Sequence, residues 1–242
     1  VDMKLKEEAK KGARGNFDMY TDKEWAAIRG EHKYFLPGSG GDRATKENIL
    51  VIALNWGTKD NRARILESLH LTEKDEAELE NYLALYMDDK DWQFVQSVWD
   101  HIDSFWARDN AAYQRLYGEP MGKVKGMKFT INGREIEGKY YPIVYDPKLG
   151  EKASDRDIND AIRSQMSSES FSMGMNSTKL RKKTSGGQTV YMYLDPYIYH
   201  LNEVTHRIAM RETITDVYKL LTRKDIADEI EGRIGLDGYN LL

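Results

Sequence analysis

The sequence contains no cysteine, which excludes a disulfide scaffold, a thiolate metal site and a cysteine nucleophile. The compartment stays open, since secreted proteins also do without cysteine. Long apolar runs are missing as well. The longest, Ile49 to Leu54, has six residues, against roughly 20 needed to span a bilayer, so no integral membrane segment is expected. The opening residues, VDMKLKEEAKKGARG, have no apolar stretch, and no signal peptide is read there. Charge of one sign is scarce too: Lys and Arg number 36, Asp and Glu 40, for a net −4. The chain as a whole therefore offers no electrostatic attraction to nucleic acid or anionic membrane, and such binding would need a local patch. The first residue is Val1, which reads as a piece excised or processed from a longer protein.

What is present is ordinary for a globular chain. Its 242 residues, 40% hydrophobic and 31% charged, suffice for one large domain or two small ones with a substantial core. Residues 1–41 read as an N-terminal helical arm and linker. The first fifteen residues are basic with little periodicity, a frayed helix or a linker. Thr21-Asp-Lys-Glu24 has the capping-box pattern, which predicts a helix of about four turns carrying Trp25, Ile28 and Phe35. Leu36 to Gly41, with one proline and three glycines, then stops it. That glycine cluster lacks the spacing and the Lys-Ser/Thr ending of a P-loop and reads as a plain flexible loop.

Residues 42–242 read as a mainly helical domain. Helices are expected over Thr45 to Trp56, over Lys59 to His70, and from Thr72 through Tyr86. The longest apolar stripe is Trp92, Val95, Trp99, Ile102 and Trp106, at steps of 3, 4, 3 and 4 on one helix face. Such a stripe could be a cofactor box or a base-stacking face, but burial of bulky rings between packed helices accounts for it. A small β insertion is expected at about 127–147. Asn132-Gly133 is a strong hairpin signal because both positions accept positive φ. The tyrosine-rich segment Lys139 to Asp146 would be the next strand, with Tyr140, Pro142 and Val144 on one face and Tyr141, Ile143 and Tyr145 on the other. Both faces are apolar, so this strand should be sandwiched, and Pro142 confines it to an edge. Ser154 to Met166 could form a helix, and about 165–189 reads as a flexible basic loop. Val190 to Leu194 is a strand candidate. Asp195-Pro196 looks like an N-cap and N1 pair opening a long helix through Leu221, and Thr222 to Ile234 a further short one. The fold class expected is α+β, predominantly α-helical, with long helices packed around a small antiparallel hairpin or sheet.

Chemistry is thinly signalled. His200 and His206 are six residues apart, a rotation of about 240° on a helix, so they cannot share a metal. No GxSxG, HExxH, EF-hand, P-loop or dinucleotide fingerprint occurs, and neither a catalytic centre nor a cofactor or metal site is expected. The compact basic patch is Lys179, Arg181, Lys182 and Lys183, four cations in five residues. It could neutralise several phosphates without sequence preference, though a solvated loop that resists aggregation is the reading the sequence favours.

Three stretches in order, DDKDWQFVQSVWDHIDSFW, GREIEGKYYPIVYDP, and HLNEVTHRIAMRETITDVYKLL after a KLRKKTSGG turn, resemble a segment of large phage and prophage proteins. These are the internal virion, or DNA-ejection, proteins of short-tailed phages and related polyvalent proteins. The likeness spans about Asn48 to Gly235. The resemblance implies a non-enzymatic structural role in the virion interior. The protein would be released into the host envelope or cytoplasm on infection, with other virion proteins or copies of itself as partners. A lytic transglycosylase domain often lies elsewhere in such proteins; nothing here matches it, so no catalytic glutamate is carried over. Trp92, Trp99, Trp106, Tyr140, Tyr141, Pro142 and Tyr145 enter as structural signature residues. Two alternatives stand beside this reading: a nucleic-acid-contacting module built on Lys179–Lys183, and an enzyme centred on Tyr140, Tyr141, Tyr145 and His200. The last requires those side chains to adjoin a cavity.

Overall fold

Residues 2–38, 40–145 and 190–239 are described by a computed structural model. Leu5, Ala9 and Ala13 recur every fourth residue, which sets them on one face of helix α1 (Asp2–Phe17), and all three are buried. The opening residues are therefore a helix docked on the core and not a linker. Gly12 lets α1 approach closely, since a Cβ there would stand 2.7 Å from the ring carbons of His101. The His101 Nδ1 lies 2.5 Å from the buried Tyr197 hydroxyl, which accepts a hydrogen bond from Asn16 Nδ2 at 2.7 Å. The other ring nitrogen, His101 Nε2, is buried without a partner.

Local caps start most of the next helices. Thr21 and Glu24 close the expected capping box on α2 (Asp22–Gly30). This helix ends sooner than expected, and Phe35 lies instead in β1 (Tyr34–Phe35), antiparallel to β2 (Arg43–Ala44). The glycines between them make the turn, Gly38 and Gly40 taking φ of 73° and 72°. Thr45 and Asn48 cap α3 (Lys46–Asn55), whose Ile49 to Leu54 run is buried on every side. A helix apolar all round has to be central, and α3 is packed against α2, α4 (Lys59–Ser68), α5 (Glu76–Tyr86) and α6 (Asp89–Ser104). Asp88 and Asp91 form a capping box at the start of α6. The Asp91 carboxylate also accepts from Tyr20 at 2.8 Å and pairs with Lys46 at 2.5 Å, so a helix cap doubles as a link between three elements.

The five-residue stripe does not stay on one helix. Trp92, Val95, Trp99 and Ile102 are buried along α6, with the Trp99 indole donating to the Leu54 carbonyl at 2.9 Å. The ladder then breaks at Phe105, whose N–H reaches Ile102 at 3.3 Å, and Trp106 opens a separate helix, α7 (Trp106–Tyr117). The hairpin is as expected: β3 (Lys128–Ile131) and β4 (Arg134–Glu137) pair in register, and Asn132 and Gly133 take φ of 51° and 75°. Phe129, Ile131 and Ile136 point into the core.

The tyrosine segment is not a third strand of this sheet. It runs extended without a ladder, and a lone bridge joins Tyr145 to Val190. Its backbone is held by unlike partners: Gly138 N–H donates to Met127 O at 2.8 Å, Met127 N–H to Gly57 O at 2.9 Å, and the Asn61 side chain to Tyr141 O at 2.8 Å. Gly57, Gly126 and Gly138 cross here at backbone contact. A Cβ on Gly138 would lie 2.5 Å from Gly57 O and nearer still to its Cα. Tyr141 to Val144 are buried, so the expected sandwiching holds even though the strand does not.

Helix α8 (Asp195–Leu221) packs along α1 and α7, burying Tyr197, Leu201, Val204 and Ile208. Leu194, not Asp195, holds its N-cap position, and no side chain caps it. Beyond Thr215 no residue of α8 is buried, and α9 (Lys224–Tyr239) follows. Among the described residues the protein is predominantly helical α+β, its β content being two small antiparallel hairpins and the lone Tyr145–Val190 bridge. No helix among them is long and apolar enough to cross a membrane.

Candidate functional site

The α6–α7 elbow, α8 and the chain around Lys123 and Tyr140 enclose a cavity of about 40 Å³. Its polar wall is Asp103 at the end of α6, Trp106 and Asp109 on α7, Lys123, Tyr140, and His200 on α8. The turn at Phe105 brings Trp106 to this wall; a straight continuation of α6 would have left it on the Trp99 stripe. Lys123 spans the mouth, its Nζ 2.6 Å from Asp103 Oδ1 and 4.9 Å from the Trp106 ring centre. Lys139 reaches the same carboxylate at 3.7 Å and Asp100 at 2.8 Å. Deeper in, the Asp109 side chain is only 2% exposed and carries two guanidinium partners, Arg207 at 2.7 Å and Arg211. The Trp106 indole N–H is buried without an acceptor.

His200 is 8% exposed, its ring 5.6 Å from that of Tyr140. Burial, reinforced by the charge of Arg207, pushes its pKa down from 6.5 to about 3, so the imidazole is neutral in the fold. His101 is lowered in the same direction, again chiefly by burial. The unfolded chain takes up protons at these sites near pH 6.5 while the folded chain does not. Their contribution is thus whole above that pH and falls away as pH drops toward 3. We expect the unfolding free energy from urea titrations to fall between about pH 6.5 and pH 4 with a slope near 1.4 kcal/mol per pH unit for His200 alone. His200→Gln should flatten that slope, and an equal slope in both proteins would refute the assignment.

Both carboxylates on this wall are paired with cations, Asp103 with Lys123 and Lys139 and Asp109 with Arg207 and Arg211. Among the described residues no group of three His, Cys, Asp or Glu side chains could hold a metal ion.

The expected site residues are scattered. Lys179, Arg181, Lys182 and Lys183 lie outside the described residues, as do Asp146 and the helix read over Ser154–Met166. Trp92 and Trp99 are core, Trp106 is on the cavity, and Tyr140 meets His200 there. Tyr141 and Pro142 are buried. Tyr145 is apart, its hydroxyl accepting from Arg64 at 2.5 Å. Asp103, Asp109, Lys123, Arg207 and Arg211 were not singled out from the sequence. The i, i+4 spacing of Arg207 and Arg211 beside Val204 and Ile208 was the available signal, an apolar stripe with two cations on its margin. Comparison with family models, curated proteins and solved structures finds no match.

Proposed function

We propose that this chain is a non-enzymatic assembly segment of a phage internal virion, or DNA-ejection, protein. It resides in the virion interior and helps build the apparatus that carries phage DNA across the host envelope. The likeness over Asn48 to Gly235 supplies the family, and one structural observation supports the assembly role. On α8, Met210, Ile214, Val217 and Leu221 recur at steps of 4, 3 and 4, the spacing of a helix-pairing seam. Met210, Val217, Tyr218 and Leu220 are 45%, 48%, 65% and 50% exposed. So many large apolar side chains on one exposed stretch mark an interaction surface.

Light scattering on the chain, alone and with other virion proteins, tests this. Oligomers or mixed complexes are expected, and Val217→Glu with Leu220→Glu should dissociate them while leaving helicity unchanged. A strict monomer under every condition would overturn the reading.

A further inference from the structure

We propose that Asn132 is a site of spontaneous deamidation, a modification that severs the side-chain cap tying the β3–β4 turn to the end of α5. This inference is independent of the assembly role. The end of α5 leaves carbonyls without helical donors. The Met87 N–H reaches Leu83 O at 2.9 Å, and Lys46 Nζ serves Tyr86 O. Ala84 O would next accept from the Asp88 N–H, but that group donates to the Asp91 carboxylate at 2.8 Å in the capping box of α6. The Asn132 side chain takes its place, Nδ2 donating to Ala84 O at 2.8 Å. A carbonyl only accepts, so it is the NH2 side of the amide that faces α5. One amide thus fastens the hairpin to a helix 48 positions away in sequence.

The same amide sits where it is open to attack from its own backbone. Asn132-Gly133 is the single Asn-Gly pair of the sequence, and glycine has no side chain to shield the nitrogen that follows the asparagine. Both residues are exposed, and a Cβ on Gly133 would have nothing within 4 Å. Ile131 and Arg134 close the ladder beneath the turn, and the Gly133 N–H has no hydrogen-bond partner among the described residues. The Gly133 nitrogen attacks Asn132 Cγ while its proton passes to water. A C–N bond forms, the Cγ–Nδ2 bond breaks, and the amine leaves with a proton as ammonia. Water then opens the cyclic imide at either carbonyl, giving aspartate or isoaspartate, so one water is consumed for each ammonia released. A carboxylate here has no N–H to give Ala84 O, and it sets a negative charge at the negative end of the α5 dipole. Arg134, the nearest cation in sequence, is already engaged by Asp89 at 3.2 Å. Isoaspartate also inserts a carbon into the backbone of the turn, which shifts the register of so short a hairpin.

The full chain, aged in mildly alkaline buffer both folded and in urea, tests the first half by peptide mass spectrometry. The Asn132 peptide should gain the mass of an NH-to-O exchange and split into separately eluting aspartate and isoaspartate forms, in the folded chain as in the unfolded one. Asn132 left intact in the folded chain after the unfolded chain has converted overturns the proposal. The second half is tested with the product made directly. Asn132→Asp should populate the unfolded state about tenfold more than the parent, for one lost hydrogen bond and an adverse charge at a helix end. Asn132→Gly keeps the left-handed turn without donor or charge and should lie between the two. An Asn132→Asp chain as stable as the parent shows that the amide is no cap and equally overturns the proposal.

Discussion

Asp109→Ala is expected to destabilise the protein by about 3–5 kcal/mol, the cost of leaving buried charges without their partner. Two guanidinium groups depend on this carboxylate, with side chains 12% and 6% exposed for Arg207 and Arg211. At this chain length each kcal/mol moves the thermal midpoint by roughly 2–4 °C, so a drop of about 10 °C is the expected reading. The pairing need not be net favourable against an apolar core. The triple change Asp109→Leu, Arg207→Met, Arg211→Met should therefore recover most of the loss, because no uncompensated charge remains. A triple variant as unstable as the single one would show that packing, not charge, dominates here.

Gly138→Ala carries the second large effect, about 3 kcal/mol or more. The added Cβ would meet Gly57 backbone atoms, with the carbonyl oxygen at 2.5 Å. Overpacking against a movable side chain costs about 1–3 kcal/mol. A backbone has no rotamer to yield, so the top of that range or beyond applies. Gly57→Ala should behave alike, since its Cβ would lie 2.7 Å from the Trp99 ring and 2.8 Å from Lys139 N. Gly15→Ala is the opposite control. It lies in α1 with nothing within 4 Å of its Cβ position, and alanine there should be neutral or gain up to about 1 kcal/mol of helix propensity. Urea unfolding of the three variants should separate them by sign. Equal effects at Gly15 and Gly138 would mean that helix propensity, not contact, governs both.

Local features were legible in the sequence and distant ones were not. The cap at Thr21 and the Asn132-Gly133 hairpin involve residues close together in sequence, so their chemistry can be read from spacing. The elbow at Phe105 could not be read, because no glycine or proline marks it and the apolar stripe runs straight through to Trp106. The tyrosine segment alternates like a strand, and its burial was foreseen from that. Its backbone accepts from the Asn61 side chain at Tyr141 and from the Tyr191 N–H at Val144. Nothing in a two-residue period tells a ladder from such isolated contacts. The fifteen opening residues concealed a spacing of four, Leu5, Ala9 and Ala13, under abundant lysine. Most hidden was the cavity, whose Asp109 and Arg207 are joined across 98 positions.

The docking of α1 on α8 joins the first described helix to one that starts at Asp195. Contacts of such sequence separation cost loop-closure entropy and come late in folding. On the ribosome, α1 can meet the His101 edge of α6 early, but the part of its face that α8 covers stays open until α8 has emerged. The α3–α6 centre, built from neighbours in sequence, can consolidate long before that. Synthesis thus has a waiting period in which an apolar face stands open, and the lysines along α1 keep that helix solvated until its partner arrives.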